Sequence, residues 1–93
     1  MTDDQFLEMC KSYDKGIKRL KQQIVRTAEK MNYAKHVNFS VDDLRTELLC
    51  FAAALEYFGY AVTWNFDGVM LRKLHIRSST LKSHEVFEIG DTY

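Results

Sequence analysis

In "YAVTWNFDGVML" (residues 60–71) the spacing of apolar residues changes from a helical period to a strand period, which indicates helices followed by a small sheet. Large side chains alternate with smaller or polar ones, and Asp67-Gly68 is a dipeptide that favours a type I′ hairpin turn. We predict two antiparallel strands over residues 60–66 and 69–77, with residues 84–89 as either a short third strand or a loop. The alternating large side chains are Tyr60, Val62, Trp64 and Phe66.

The aromatic face of this hairpin has two interpretations. We favour a face that packs on helices, because a small sheet needs a covering layer to be stable in water. In the alternative, Tyr60, Trp64 and Phe66 stack on nucleic-acid bases while basic residues of the second strand hold phosphates. A hairpin closed at Asp67-Gly68 in regular register adds Val69, Leu71, Lys73 and His75 to this face, with Arg77 beyond. Leu74 and Ile76 then lie on the other face, which indicates a bulge or a second contact.

Two helices precede the hairpin. Thr2 and Gln5 form a capping-box pattern, and a heptad-like repeat of apolar residues follows it, which predicts one helix over residues 3–31 with Asn32 as its stop. A break at Gly16 is the alternative. Ser40 with Asp43, and Phe39 with Leu44 as a hydrophobic staple, predict a second helix over residues 41–58 that ends at Gly59.

No chemistry-bearing motif emerges from the sequence. The two cysteines, Cys10 and Cys50, are far apart and fall on predicted apolar helix faces, so we expect them to be small buried residues. Together with His36, His75 and His84 they show neither zinc-ligand nor nucleophile-base spacing, and no glycine-rich phosphate loop is present. We therefore predict no catalytic, metal or cofactor-binding residues, and a protein that is not an enzyme.

The charges are balanced overall but unevenly distributed. Formal net charge is zero, with eight basic and five acidic residues in 1–39 against one basic and five acidic in 40–70. A neutral chain offers no general attraction for nucleic acid or an anionic membrane. The side of the first helix away from the heptad seam is either a solvated face or a contact for an acidic partner. Its basic residues are Lys11, Lys15, Lys18, Arg19 and Arg26.

Helix length gives the strongest functional indication. A first helix of about 29 residues is about 43 Å long, whereas the second reaches only about 28 Å. The first helix therefore extends past its partner with an apolar seam that another copy of the chain would cover most simply. The seam residues predicted to form this oligomer interface are Phe6, Cys10, Tyr13, Ile17, Leu20, Ile24 and Met31.

These observations predict a single α+β domain over residues 1–93, with two helices on a small antiparallel sheet and a frayed tail at 90–93. The predicted function is non-catalytic protein binding of the inhibitor or adaptor type, with self-association through the first helix as a homodimer or higher oligomer. We expect a cytoplasmic protein without membrane contact or cofactor; its size is typical of viral or phage accessory proteins. The alternative is a small nucleic-acid-binding protein. Partner contacts outside the seam would use the basic helix residues above together with Phe66, Lys73, His75 and Arg77.

Overall fold

The fold was analysed in a computed structural model that describes residues 2–78 and 80–90. It is an α+β domain in which two helices are followed by a three-stranded antiparallel sheet of order β1-β2-β3, as the sequence predicts. None of the helices in this described part is long and apolar enough to cross a membrane. The elements are α1 (Asp3–His36), α2 (Asp42–Tyr57), β1 (Tyr60–Asp67), β2 (Met70–Ser78) and β3 (Ser83–Glu88).

Helix α1 is one continuous rod of 34 residues. The predicted capping box is present: the Gln5 amide donates to the Thr2 hydroxyl, and the Thr2 amide donates to the Gln5 side chain. The helix passes through Gly16 without a break. At about 1.5 Å per residue the rod is about 51 Å long, which accounts for the largest dimension of the molecule, 53 Å.

The predicted stop at Asn32 is wrong, because Asn32 is a buried helical residue that ties the helix to the sheet. Its side-chain amide donates to the carbonyl oxygens of Leu71 (2.7 Å) and Gly90 (3.0 Å), and its Oδ1 accepts from the Leu71 amide (3.0 Å). These bonds satisfy the polar side chain inside the helix, so the chain remains helical to His36. The left-handed residue that follows the helix is Asn38, with φ 63°.

Helix α2 begins at Asp42 without the predicted side-chain cap. Val41 is at the N-cap position, and no side chain caps the helix there. The predicted staple is also wrong, since Phe39 is 69% exposed and its amide instead donates to the Ala34 carbonyl (2.8 Å). The predicted end is confirmed: α2 ends at Tyr57, and Gly59 follows with φ 91°, a conformation that suits glycine.

The hairpin turns one residue later than predicted. Asp67 pairs with Met70, so the loop is Gly68-Val69, and only Gly68 has positive φ, the pattern of a type II′ turn. A bulge follows immediately, because Phe66 pairs with Leu71 whereas Asn65 pairs with Lys73. The extra residue, Arg72, shifts the alternation of β2 by one position.

The core lies between both helices and one face of the sheet. Ile24, Ala28, Leu55, Leu71 and Leu74 are fully buried at its centre. Trp64, Val62 and Phe87 pack at its edge and remain half-buried. The segment 84–89, which the sequence left between strand and loop, is a strand up to Glu88, and β3 begins one residue earlier at Ser83. It pairs with β2 from Ser78–Ser83 to Lys73–Glu88. Gly90 is anchored by Asn32, and the rest of the predicted frayed tail lies outside the described residues.

Candidate functional site

The aromatic and basic residues of the hairpin lie on opposite faces of the sheet. Trp64 pairs with Leu74 on the helix side, whereas Lys73 pairs with Asn65 on the open side. The prediction that Lys73 and His75 share the face of Trp64 is therefore wrong, and the cause is the bulge at Arg72. Lys73 and His75 therefore lie on the face opposite the aromatic side chains that would stack on bases.

The open face of the sheet carries a pair of histidines that the sequence analysis did not bring together. Nδ1 of His75 and Nε2 of His84 are 3.0 Å apart, and Arg77 is the cross-strand neighbour of His84. A hydrogen bond between the rings requires that at least one of the two facing nitrogens lacks its proton. The pair could be predicted only from the register between β2 and β3, and the sequence did not decide whether β3 is a strand.

The cysteines and the basic residues of α1 are all on the surface. Cys10 and Cys50 are exposed, so the expectation that they are buried is wrong. The five basic residues of the predicted helix face are exposed as well, and Arg19 and Arg26 flank a shallow depression beside Phe87 on β3. Across the described residues, no group of three or more His, Cys, Asp or Glu side chains could hold a metal ion.

The apolar seam of α1 divides into a buried and an exposed half. Ile17, Ile24 and Met31 are buried in the chain's own core, and Leu20 packs against it. Ile17 and Ile24 are therefore taken up by the chain's own fold, Leu20 is partly covered, and Met31 reaches a surface only at the base of the cleft described below. This burial corrects the prediction that the whole seam forms an interface. The available part consists of Phe6, Cys10 and Tyr13.

The exposed half is an overhang, defined here as residues 3–13. Helix α2 runs antiparallel to α1 and reaches only as far as Tyr13, whose ring meets Phe58 edge-on at 5.2 Å between centroids. Every residue of the overhang is exposed. Four large side chains of the overhang keep between 46% and 58% of their surface accessible: Phe6, Leu7, Met9 and Tyr13. Leu7 and Met9 were not predicted as interface residues, because they flank the heptad positions. The overhang therefore presents an apolar surface that its own fold leaves uncovered.

A second apolar surface lies near the other end of α1. This cationic cleft, with a volume of about 230 Å³, is bounded by the end of α1, the first half of α2 and β1. Its apolar side chains surround two cations, and none of its lining residues is acidic. The residues that line it are Met31, Lys35, Arg45, Leu48, Leu49, Trp64 and Phe66.

Lys35 is held in position inside the cationic cleft. Its ammonium donates to the Val69 carbonyl (2.5 Å) and lies 5.4 Å from the centre of the Phe66 ring. Partial burial of the ammonium, followed by the positive charge of Arg45, lowers the pKa of Lys35 below its ordinary value of 10.5. Two like charges are thus kept together beside exposed aromatic surface, an arrangement that favours an anionic occupant.

Only part of this cleft could be predicted from the sequence. Phe66 was predicted as a contact residue, but Lys35 lay beyond the predicted end of α1, and Arg45 belongs to a segment that is otherwise acidic. A helix continued for one more turn would have placed Lys35 on the same side as Met31, four residues earlier. That spacing is the signal that was available in the sequence.

Comparisons with protein-family models, with curated protein sequences and with solved structures found no match. The overhang and the cationic cleft are the two surfaces of this fold that bear on its function.

Proposed function

We propose that this chain is a non-catalytic binding protein that self-associates through the N-terminal overhang of α1. The observation that supports the proposal is the exposure of Phe6, Leu7 and Met9 on three turns of helix that extend beyond the contact between Tyr13 and Phe58. Tyr13 itself remains 46% exposed despite that contact. Surface apolar residues are normal when scattered singly, but a contiguous group on a protruding element is typical of an interaction site.

The expected affinity follows from the exposed area. Fully burying a large apolar side chain contributes about 1.5–3 kcal/mol, so covering the exposed half of one contributes about 0.8–1.5 kcal/mol. Four such side chains and the equal apolar surface that covers them contribute about 6–12 kcal/mol. Association itself costs about 4–15 kcal/mol. The most favourable difference between the two terms is about 8 kcal/mol, which corresponds to a dissociation constant of about 1 μM. The overhang therefore supports at most a reversible oligomer of micromolar affinity, and not a permanent one.

Sedimentation velocity over a concentration series tests the proposal. The double variant Phe6→Glu/Met9→Glu places two charges on the overhang without touching the core, and glutamate is a good helix former. We expect the wild type to sediment faster as its concentration rises, and the double variant to remain a single chain. Far-ultraviolet circular dichroism establishes that the variant keeps its helices.

Val86→Glu is the matched control. Val86 is 49% exposed, as Tyr13 nearly is, but lies on the open face of the sheet, away from both helices. This variant should associate like the wild type. A wild type that stays a single chain at every concentration would refute self-association, and equal loss in the control would show that any added charge is sufficient.

The dependence of binding on salt concentration distinguishes nucleic-acid binding from self-association. Binding through phosphate contacts weakens steeply as salt concentration rises, whereas apolar self-association does not. The basic residues predicted as contacts are divided between the outer side of α1 and the open face of the sheet. The cations that do lie beside aromatic side chains are Lys35 and Arg45 in the cationic cleft. Salt-sensitive binding of a single-stranded oligonucleotide by a single chain would support the alternative.

A further inference from the structure

The cationic cleft is shaped for side chains more than for a free small molecule. Its volume of about 230 Å³ is below the roughly 300–1,000 Å³ that is usual for small-molecule sites. Its apolar residues come from three elements, and Leu49 and Phe66 are each more than half exposed at its rim. One or two apolar side chains from another molecule would fill it.

The charges of the cleft specify the occupant further. Lys35 and Arg45 lie beside the apolar side chains, and no acidic side chain lines the cleft. An occupant that carries carboxylates next to large apolar residues would cover the aromatic surface and relieve the repulsion between the two cations. The occupant therefore has the chemistry of an acidic, aromatic-containing polypeptide segment.

The first turns of α1 have this composition. Asp3 and Asp4 occupy the first turn, and the exposed Phe6 and Leu7 follow after Gln5. We propose that the cationic cleft binds the N-terminal overhang of a second copy of this chain, with Asp3 and Asp4 near Lys35 and Arg45. This inference rests on the self-association proposed above and names the surface that receives the overhang.

The contact must be between molecules. Phe6 and Lys35 are 29 residues apart on one continuous helix, which separates them by about 44 Å. A straight helix cannot bring its own first turn to its last turn. When two chains pack with antiparallel α1 helices, the overhang of each chain can lie in the cleft of the other, which gives a closed dimer. A head-to-tail arrangement gives rings or longer assemblies instead.

A charge exchange between two full-length variants tests the inference. The overhang variant is Asp3→Lys/Asp4→Lys, and the cleft variant is Lys35→Glu/Arg45→Glu. Each variant alone faces like charges across the contact, so its self-association should weaken by more than about tenfold. In an equimolar mixture every overhang meets a cleft of opposite sign, and association should return to near the wild-type level.

The fluorescence of Trp64, the single tryptophan of the chain, reports on the cleft directly. Its emission should change with concentration in the wild type and in the mixture, but not in either variant alone. Recovery on mixing also shows that both variants are folded, because misfolded chains would not complement each other.

The outcomes separate this inference from the proposed function. If the wild type associates and the cleft variant alone associates equally well, the cleft is not the receiving surface and the inference is overturned, while self-association stands. Mixing that fails to restore association also overturns it. A wild type that never associates refutes both proposals. A cleft variant that loses only salt-sensitive oligonucleotide binding would assign the cleft to nucleic acid.

Discussion

Replacing Asn32 with alanine should destabilise the domain more than any other change to a single polar side chain within the described residues. The side chain is fully buried and makes three hydrogen bonds, two of them to the amide and carbonyl of Leu71, which is also fully buried. The third partner is the carbonyl of Gly90, an exposed residue that water can reach.

The role of Asn32 follows from the bulge in β2. Beyond the pair Lys73–Glu88, β3 has ended, so no strand faces Leu71 on that side. The amide of Asn32 takes the place of a strand residue by both donating and accepting there. Its removal leaves two buried backbone groups without partners, at about 1–3 kcal/mol each, which gives a loss of about 2–6 kcal/mol.

That loss is large for a chain of this size. A domain of 93 residues is stabilised by about 5–14 kcal/mol in total. Urea unfolding at one fixed protein concentration, followed by Trp64 fluorescence and by circular dichroism, gives the free energy of unfolding. The surface variant Gln23→Ala should change it by less than about 0.5 kcal/mol.

A second substitution at Asn32 distinguishes the two hydrogen bonds that its amide nitrogen donates from the one that its Oδ1 accepts. Asn32→Asp keeps an oxygen for the Leu71 amide but loses both donated bonds and turns an oxygen toward two carbonyls, so it should be no milder than alanine at neutral pH. A loss below about 1 kcal/mol for the alanine variant would refute the view that Asn32 completes the sheet.

Three further predictions concern the backbone and the cleft. Gly16→Ala should stabilise the protein by about 0.5–1 kcal/mol in thermal melting, since an added Cβ meets nothing within 4 Å; a destabilised variant would indicate a kink at this residue. Gly59→Ala should be destabilising by about 1 kcal/mol or more in the same assay, because φ is 91°; an unchanged melting temperature would contradict this. Arg45→Gln should raise the pKa of Lys35 without restoring its ordinary value, since partial burial, the larger cause, remains; titration of the Lys35 ammonium by NMR measures the change, and an unaltered pKa would contradict the proximity of the two cations.

The lowered pKa of Lys35 also makes the stability of the fold depend on pH. The folded state holds this proton less tightly than the unfolded state, so Lys35 lowers stability at neutral pH. Its unfavourable contribution diminishes as pH rises from the folded pKa toward the unfolded value, so in that window this residue makes stability increase with pH. Arg45→Gln should reduce this dependence, which urea unfolding across that window measures.

The element order could be predicted because local signals agree with the tertiary structure over most of the chain. The capping box at Thr2, the stop at Gly59 and the change of period at Tyr60 are each properties of a few neighbouring residues, and all three are present. The continuity of α1 through Gly16 followed from apolar residues that stay in phase on both sides of the glycine.

The errors occur where a distant residue overrides a local preference. Asn32 is a common helix stop in isolation, but hydrogen bonds to the sheet keep it helical. The bulge at Arg72 changes which side chains face the helices, and it confirms the bulge that the positions of Leu74 and Ile76 indicated. The one-residue shift of the turn is not encoded in the strand alternation. The cationic cleft depends on the helix continuing past Asn32 and on the local geometry of the hairpin. It joins α1, α2 and β1 at the end of the molecule where these two features lie.

The claim that a second molecule covers the overhang can be checked by hydrogen exchange at single-residue resolution. An isolated helix end without tertiary contacts opens easily, so amides 6–13 should exchange fast in dilute protein. We predict that their protection rises with protein concentration through the micromolar range, while the buried segment around Ile24 and Ala28 stays equally protected throughout. Protection of the overhang that does not depend on concentration, or association that leaves these amides fast, would contradict the claim.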